Sequence, residues 1–375
     1  MTQDFLRDLK MKSGKQPSAA ALTGLGLWSL AFGIFLHFAL PAAPRETDPE
    51  ADHAVALMAR SIEELREYRE AAGPPMDSFS DINRTGLIGI ENSPITTSLG
   101  RLEAKRTTTN PFFAGAVVRM FREAGVRRGD YTAIGASCSF PGLILATLCA
   151  AESLRLKPLL IPSLGASNWG GNHPDWTWLE MSACLRQKGV LDVVPVALSL
   201  GGEKDSGLDM NEDGRKLLWR KILQTGRPFI REPDLAKNVA ARIALLEKSA
   251  GGSPIKVFVN VGGSFADMGT DGEILKLQPG FNPAFEVSVP SMERRGLIQE
   301  MARRGIPVIH LLFIKGLCAR YGLPWDPVPL PGSAGNGPIA KREFGRGEFL
   351  ALGVYLSGMI FGLGWIIRKN RRLGT

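Results

Sequence analysis

The chain has 375 residues, a formal net charge of +8 at pH 7 and four cysteines, none of them in a C-x-x-C pair. Residues 1–18 carry four basic and two acidic side chains, and residues 368–375 carry four basic and no acidic ones. Most of the basic excess therefore lies in the two tails, and the nearly neutral remainder lacks the basic, aromatic-rich stripe that nucleic-acid binding requires. The cysteine spacing gives no support for a structural zinc site.

Two uncharged apolar runs lie near the ends of the chain, at residues 19–40 and 349–367. The first is long enough for about 33 Å of helix, so we interpret both runs as transmembrane helices. A cleaved signal peptide is the alternative for the first run, although the apolar core of a signal is usually shorter. Basic residues before the first run and after the second predict that both termini are cytoplasmic. The predicted order is a cytoplasmic tail (1–18), a span (19–40), an extracytoplasmic domain (41–348), a span (349–367) and a basic cytoplasmic tail (368–375).

Helices and short apolar strands alternate through the central region. Asp48 is the expected N-cap of a helix that begins at Pro49 and stops at Gly73. Such alternation predicts an α/β fold with a Rossmann-like, mostly parallel sheet between the two transmembrane helices. The further predicted elements are a helix near 111–124, a strand at 131–136, a helix at 143–154, strands at 158–162 and from Ile255, a helix near 176–188, a strand at 190–200, a helix at 291–304 and a strand at 306–312.

Polar residues and glycines follow three of the predicted strands. Because ligands of open parallel sheets bind at the carboxyl ends of the strands, these stretches predict one composite ligand site. Glycines there let backbone N–H groups approach an anion, although plain tight turns explain them equally well. The candidate ligand-binding residues are Ser137, Cys138, Ser139, Asn168, His173, Asn260, Gly262, Gly263, Ser264 and Asp267.

The stretch around Ser137 also raises the question of a catalytic serine. Gly135 and Ser137 fit the first part of a G-x-S-x-G elbow, but Ser139 stands where the last glycine belongs. His173 lies in a predicted strand-end loop, so a Ser137–His173 pair is the alternative, catalytic interpretation. We favour hydrogen-bonding roles for the serines, because the sequence shows only fragments of a nucleophile, base and oxyanion set.

The motif DMNEDG at residues 209–214 copies the start of an EF-hand calcium loop. Arg220 occupies the twelfth position, where such a loop needs a bidentate Glu, so we exclude a standard EF-hand. A polar turn that caps a helix starting near Arg215 is the favoured interpretation, and a looser calcium site is the alternative. We therefore expect no metal and no cofactor.

Small residues recur four positions apart in both apolar runs, as Ser29 with Gly33 and as Gly358 with Gly362. This spacing lets helices in a membrane approach each other closely. It fits pairing of the two runs with each other, with a second copy or with a partner equally well.

Three loops lie between the two predicted anchors, GASCSFPG at 135–142, SLGASNWGGNHPDWTW at 163–178 and NVGGSFADMG at 260–269. The sequences of these loops and their order along the chain resemble those of the bacterial poly-gamma-glutamate system proteins, and the resemblance extends over most of the chain. The resemblance implies an accessory of poly-gamma-glutamate synthesis and export in the bacterial inner membrane, with an ATP-dependent ligase, its small membrane partner, the anionic polymer and the lipid bilayer as partners. The chain has no P-loop motif and is therefore not itself the ligase. We expect a scaffolding or polymer-binding component, with an extracytoplasmic hydrolase or transferase using Ser137 and His173 as the alternative.

Overall fold

The computed structural model describes residues 19–39, 48–331 and 346–372, which form two compact units. One unit contains an amino-terminal helix, Ala19–Ala39, and a carboxy-terminal helix, Arg346–Arg372. The other unit is the domain that separates these helices in the sequence. Several predicted parts lie outside the described residues: the tail at 1–18, the last residue of the first predicted span at 40, residues 41–47 and 332–345 of the predicted domain, and the end of the other tail at 373–375.

The central unit is an α/β domain with one seven-stranded sheet in the order β4-β3-β2-β1-β5-β7-β6. Neighbouring strands are parallel except β6 and β7, so the prediction of a mostly parallel sheet is confirmed. Its elements are α1 (Pro49–Ala72), α2 (Leu102–Thr108), α3 (Phe112–Glu123), β1 (Tyr131–Ser137), α4 (Pro141–Ser153), β2 (Lys157–Ser163), α5 (Trp178–Gln187), β3 (Leu198–Ser199), α6 (Glu212–Gln224), β4 (Phe229–Ile230), α7 (Leu235–Ser249), β5 (Ile255–Val261), α8 (Phe265–Met268), β6 (Gly280–Asn282), α9 (Leu297–Arg303), β7 (Val308–Leu311) and α10 (Ile314–Tyr321).

The strand order changes direction between β1 and β5. Strands β2, β3 and β4 follow on one side of β1, whereas β5, β7 and β6 follow on the other. The loops after β1 and β5 therefore run to opposite faces, and in open α/β sheets such an arrangement places the ligand crevice outside the carboxyl ends of the strands. This topology makes residues 137–140 and 262–264 the expected floor of a ligand site.

Helix α1 begins and ends as the sequence predicts. Asp48 Oδ1 accepts a hydrogen bond from the Ala51 N–H at 2.9 Å, Pro49 is the first helical residue and Gly73 is the C-cap. Met58 and Leu65, seven residues apart in the helix, are fully buried in the core. Burial of such side chains contributes roughly 1.5–3 kcal/mol each, which stabilises the packing of α1 against helices α3 and α4.

The strand predicted at 190–200 is wrong for most of its length. Only Leu198–Ser199 pair as β3. Pro195 has no N–H to donate to a ladder, and the single N–H of Val196 bonds to Leu160 O before the strand begins. Most of this proline-containing run therefore forms no strand, and only its end pairs within the sheet as β3.

The two terminal helices contact each other along a stripe of small and polar residues. Ser29 Oγ lies 2.9 Å from Tyr355 Oη, and the Trp28 ring packs over Gly358, where an added Cβ would meet it at 2.8 Å. Leu25 packs over Gly362. Residue numbers therefore decrease along the first helix in the direction in which they increase along the second, so the two helices are antiparallel. The small-residue spacing was compatible with three kinds of pairing, and the structure shows pairing of the two helices with each other. Within the described ranges, no helix combines the length and apolar character needed to cross a membrane.

Candidate functional site

Three strands end in serine at the carboxyl edge of the sheet, with Ser137 in register with Ser163 and Ser163 with Ser199. Ser163 Oγ donates to the Ala136 carbonyl at 3.3 Å, and Ser199 Oγ donates to a carboxylate oxygen of Asp205 at 2.7 Å. The hydroxyls of Ser163 and Ser199 are therefore used in hydrogen bonds to neighbouring parts of the fold. Ser137, next to the switch point, is the strand-end serine whose hydroxyl instead joins a second serine hydroxyl.

A buried lysine connects the loops after β1 and β2 in what we call the hydroxyl–lysine cluster, made of Lys105, Ser137, Ser139 and Ser167. Lys105 Nζ donates to the Ser139 carbonyl at 2.6 Å and lies 2.7 Å from Ser167 Oγ. Ser139 Oγ accepts hydrogen bonds from Ser137 Oγ at 2.9 Å and from the Ser167 N–H at 3.0 Å. Helix α2, which carries Lys105, is thereby joined to both strand-end loops.

Lys105 is almost completely removed from solvent, with 3% of its surface exposed. Its Nζ lies 3.7 Å from the centre of the Phe140 ring, a cation–π contact. Burial lowers the pKa of Lys105 to about 7, and no neighbouring carboxylate among the described residues offsets that shift. Near neutral pH the amine therefore exchanges between a cation, which attracts anions, and a neutral base, which accepts a proton.

The turn after β5 presents a backbone N–H at the same edge. Gly262 has φ +80°, and a Cβ at this position would lie 3.1 Å from Ser137 Cβ, so only glycine fits. The Gly262 carbonyl accepts a hydrogen bond from Asn260 Nδ2 at 2.8 Å. Because a trans peptide holds its C=O and N–H on opposite sides, the N–H of exposed Gly263 points away from Asn260. Within the described part of the chain, that N–H makes no hydrogen bond and is free to bind an anion.

Asp267 is buried below the turn after β5 and is not exposed at the carboxyl ends of the strands. Ser264 Oγ donates to Asp267 Oδ2 at 2.6 Å, and the carboxyl group packs against Gly135, where an added Cβ would lie 2.4 Å from Oδ1. Burial raises the pKa of Asp267 above the usual value of an aspartate. Ser264 and Asp267 therefore have a structural role and stabilise the turn after β5.

No known protein family, curated protein or solved structure matches this chain.

Three of the predicted ligand-binding residues are used elsewhere. Cys138 is fully buried in the core, and burial raises the pKa of its thiol to about 12. Asn168 accepts a hydrogen bond from the Gly100 N–H at 2.9 Å and donates to Asn92 Oδ1 at 3.0 Å, so it ties down the loop before α2. His173 Nδ1 accepts a hydrogen bond from the Asp175 N–H at 3.1 Å, and no contact among the described residues joins its ring to Ser137.

The DMNEDG motif caps a helix. Asn211 Oδ1 accepts a hydrogen bond from the Asp213 N–H at 2.8 Å at the start of α6, and Asp209 Oδ1 accepts one from the Glu203 N–H at 3.0 Å. These contacts confirm the polar-turn interpretation of the motif.

Sequence reasoning missed Lys105, the residue on which the cluster depends. It lies in a short polar helix with the sequence LEAKRTT, where neither an apolar stripe nor a motif marks it as buried. A lysine is almost never fully buried without a partner, so its burial is visible only once the fold is known.

Proposed function

We propose that the protein is a membrane-anchored accessory component of poly-gamma-glutamate synthesis and export, and that its hydroxyl–lysine cluster binds the anionic polymer. One observation carries the proposal: Lys105 is a buried amine with no carboxylate partner among the described residues. A charge buried without a partner is strongly destabilising. A carboxylate supplied by a ligand removes that destabilisation when it binds, so the cluster is poised for anionic groups.

The chemistry of the polymer complements the groups at this edge. Each repeat of a gamma-linked glutamate chain carries one carboxylate and one backbone amide. The Gly263 N–H can donate to a carboxylate oxygen, and the hydroxyls of Ser137 and Ser139 can bond to the amide. Ser139 and Phe140 are half-buried, whereas Lys105 is buried, so we propose that the polymer approaches the cluster past Ser139 and Phe140.

From the two uncharged runs at 19–40 and 349–367 and their basic flanks, we further propose a two-pass anchor in the bacterial inner membrane, with both termini cytoplasmic and the domain outside. The antiparallel pair supports this arrangement, because it brings the two chain ends to the same end of the pair. Ser29 and Tyr355 bond to each other inside the pair, while Ile360 and Phe361 face outward with 71% and 81% exposure. An anchored domain would meet the polymer as it leaves an ATP-dependent ligase and the small membrane partner of that ligase.

A hydrolase or transferase is the second candidate, and the 2.7 Å contact between Lys105 Nζ and Ser167 Oγ favours it. When neutral, Lys105 would accept the Ser167 proton as Ser167 Oγ attacks an amide carbonyl, and would return that proton to the departing amine. The Gly263 N–H would be a candidate donor to the oxyanion. In this candidate the nucleophile and base are Ser167 and Lys105, in place of Ser137 and His173.

Polymer output in producing cells separates the two candidates. At matched membrane levels, Lys105→Met should lower output at least about tenfold, because the variant lacks the cation. Ser167→Ala should lower output less than about fivefold, since one hydrogen bond contributes about 1 kcal/mol. Lys237→Met, on the exposed face of α7, is the matched control and should leave output unchanged.

Equal and complete loss of output in Lys105→Met and Ser167→Ala would favour the catalytic candidate. Wild-type output in Lys105→Met would contradict both candidates.

A further inference from the structure

A cleft of 710 Å³ lies at the amino end of the sheet, on the opposite edge from the hydroxyl–lysine cluster. It is lined by the first turn of α1, by Arg128 before β1 and by residues 152–155 before β2. The Gly129 N–H donates to the Arg155 carbonyl at 2.9 Å, so the two arginine-bearing loops are joined side by side.

Neither guanidinium group of this cleft has a partner among the residues that the structure describes. Within the described part of the chain, neither Arg128 nor Arg155 makes an ion pair or a side-chain hydrogen bond. Of the two carboxylates that line the cleft, Glu50 pairs with Arg122 at 2.9 Å, which leaves Glu152. The cleft therefore offers two free cations against one free carboxylate.

The backbone of Arg155 is held in a conformation that arginine disfavours. Arg155 follows the end of α4 with φ +53°, in the left-handed region that usually takes glycine at this position of a helix end. Strained non-glycine residues of this kind cluster at functional sites. The residue in the unfavourable conformation is also one of the two that supply a guanidinium to the cleft.

His53 contributes a nitrogen whose protonation is fixed by its neighbour. Ser153 Oγ donates its hydrogen to the Glu50 carbonyl at 2.6 Å, so it can only accept from His53 Nδ1, which lies 3.1 Å away. Nδ1 therefore carries the proton in the neutral ring, and Nε2 is left as an acceptor for a ligand.

We propose that this cleft is a second binding site, independent of the polymer site, for a phosphate ester that also carries an amine or a hydroxyl group. The guanidinium groups of Arg128 and Arg155 bind the phosphate, a geometry that arginine favours. His53 Nε2 and the Glu152 carboxylate accept hydrogen bonds from the amine or hydroxyl. A phospholipid headgroup and a free phosphate ester share this chemistry.

Substitution of Arg155 by glycine tests the site without damaging the fold. The full chain in detergent micelles would be titrated calorimetrically with O-phosphoethanolamine, a free ester, and with a short-chain phosphatidylethanolamine below its micelle-forming concentration. Wild type should bind at least one of them, and Arg155→Gly should bind it at least tenfold more weakly. The melting temperature of Arg155→Gly should be equal or higher, because glycine suits the backbone.

Lys204→Gly is the matched control, since Lys204 also has a positive φ, of +51°, and lies outside the cleft. It should have the same effect on the melting temperature and leave binding unchanged. Tighter binding of the lipid identifies a headgroup, tighter binding of the free ester identifies a soluble ligand, and both results support the site. Binding of neither probe by wild type, or equal binding by wild type and Arg155→Gly, would overturn the proposal.

Discussion

Replacement of Arg242 by Met is expected to lower the free energy of unfolding by about 3–5 kcal/mol. The guanidinium group donates to Asp205 Oδ2 at 2.7 Å, to Ser199 Oγ at 2.9 Å and to Asn238 Oδ1 at 2.8 Å. Both side chains of the Arg242–Asp205 ion pair are 1% exposed. Met would leave the Asp205 carboxylate buried without its cation at the carboxyl end of β3, and that uncompensated charge causes most of the loss.

Urea unfolding of the full chain in micelles, followed by tryptophan fluorescence, measures this effect. Asp205→Asn added to Arg242→Met should recover part of the loss, because the amide removes the unpaired charge. Arg220→Met, on the exposed face of α6, should change stability by less than about 0.5 kcal/mol. A loss below about 1 kcal/mol in Arg242→Met would mean that the ion pair contributes far less than its burial indicates.

Lys105→Met should have the opposite sign and raise the free energy of unfolding by about 1–3 kcal/mol at pH 7. Burial lowers the pKa of Lys105 from 10.5 to about 7. At pH 7 the burial of this amine therefore lowers the free energy of unfolding of the wild type. Met fills a similar volume with an apolar, flexible chain. Loss of the bonds to Ser139 and Ser167 offsets part of the gain. A variant that is more stable and yet impaired in polymer output identifies Lys105 as a functional residue.

The gain in Lys105→Met should depend on pH. Between about pH 7 and 10.5 the unfolded chain holds a proton on Lys105 that the folded chain has lost, so wild-type stability rises with pH in this window. Below pH 7 both states are protonated and this contribution is constant. From pH 7 to pH 9 it changes by up to about 2–3 kcal/mol.

The advantage of Lys105→Met over wild type should therefore shrink as pH rises. Lys237→Met is the control for loss of a surface charge. A less stable Lys105→Met at pH 7, or a pH dependence equal to that of wild type, would show that Lys105 is not strained by its burial.

The parts of the fold that follow from local pattern were predictable. Strands β1, β2 and β5 are apolar runs bounded by polar turns, and the cap and proline at the start of α1 fix where that helix begins. Strands β3 and β4 are two residues long and exist only because a neighbouring strand pairs with them. No propensity or periodicity in so short a segment can reveal such a strand.

The location of the candidate site was predictable from the sequence, but the residues that form it were not. Parallel strands put Ser137 and the turn after β5 at one edge, as expected. Side chains alternate along an extended chain, so adjacent Ser137 and Cys138 face opposite sides and only one of them reaches the cluster. Lys105 lies 34 residues before Ser139 and 62 before Ser167, and their contacts depend entirely on tertiary packing.

The binding of carboxylates by charged Lys105 is measured most directly by calorimetric titration of the full chain with poly-gamma-glutamate between pH 6 and 9. The polymer carboxylates stay ionised over this range. Binding to the lysine cation should therefore weaken as pH rises above about 7, where the free protein loses the Lys105 proton. Lys105→Met should bind at least about tenfold more weakly than wild type at pH 6, with an affinity that does not vary with pH. Equal affinity of wild type and Lys105→Met, or a wild-type affinity that strengthens with rising pH, would contradict the binding role of Lys105.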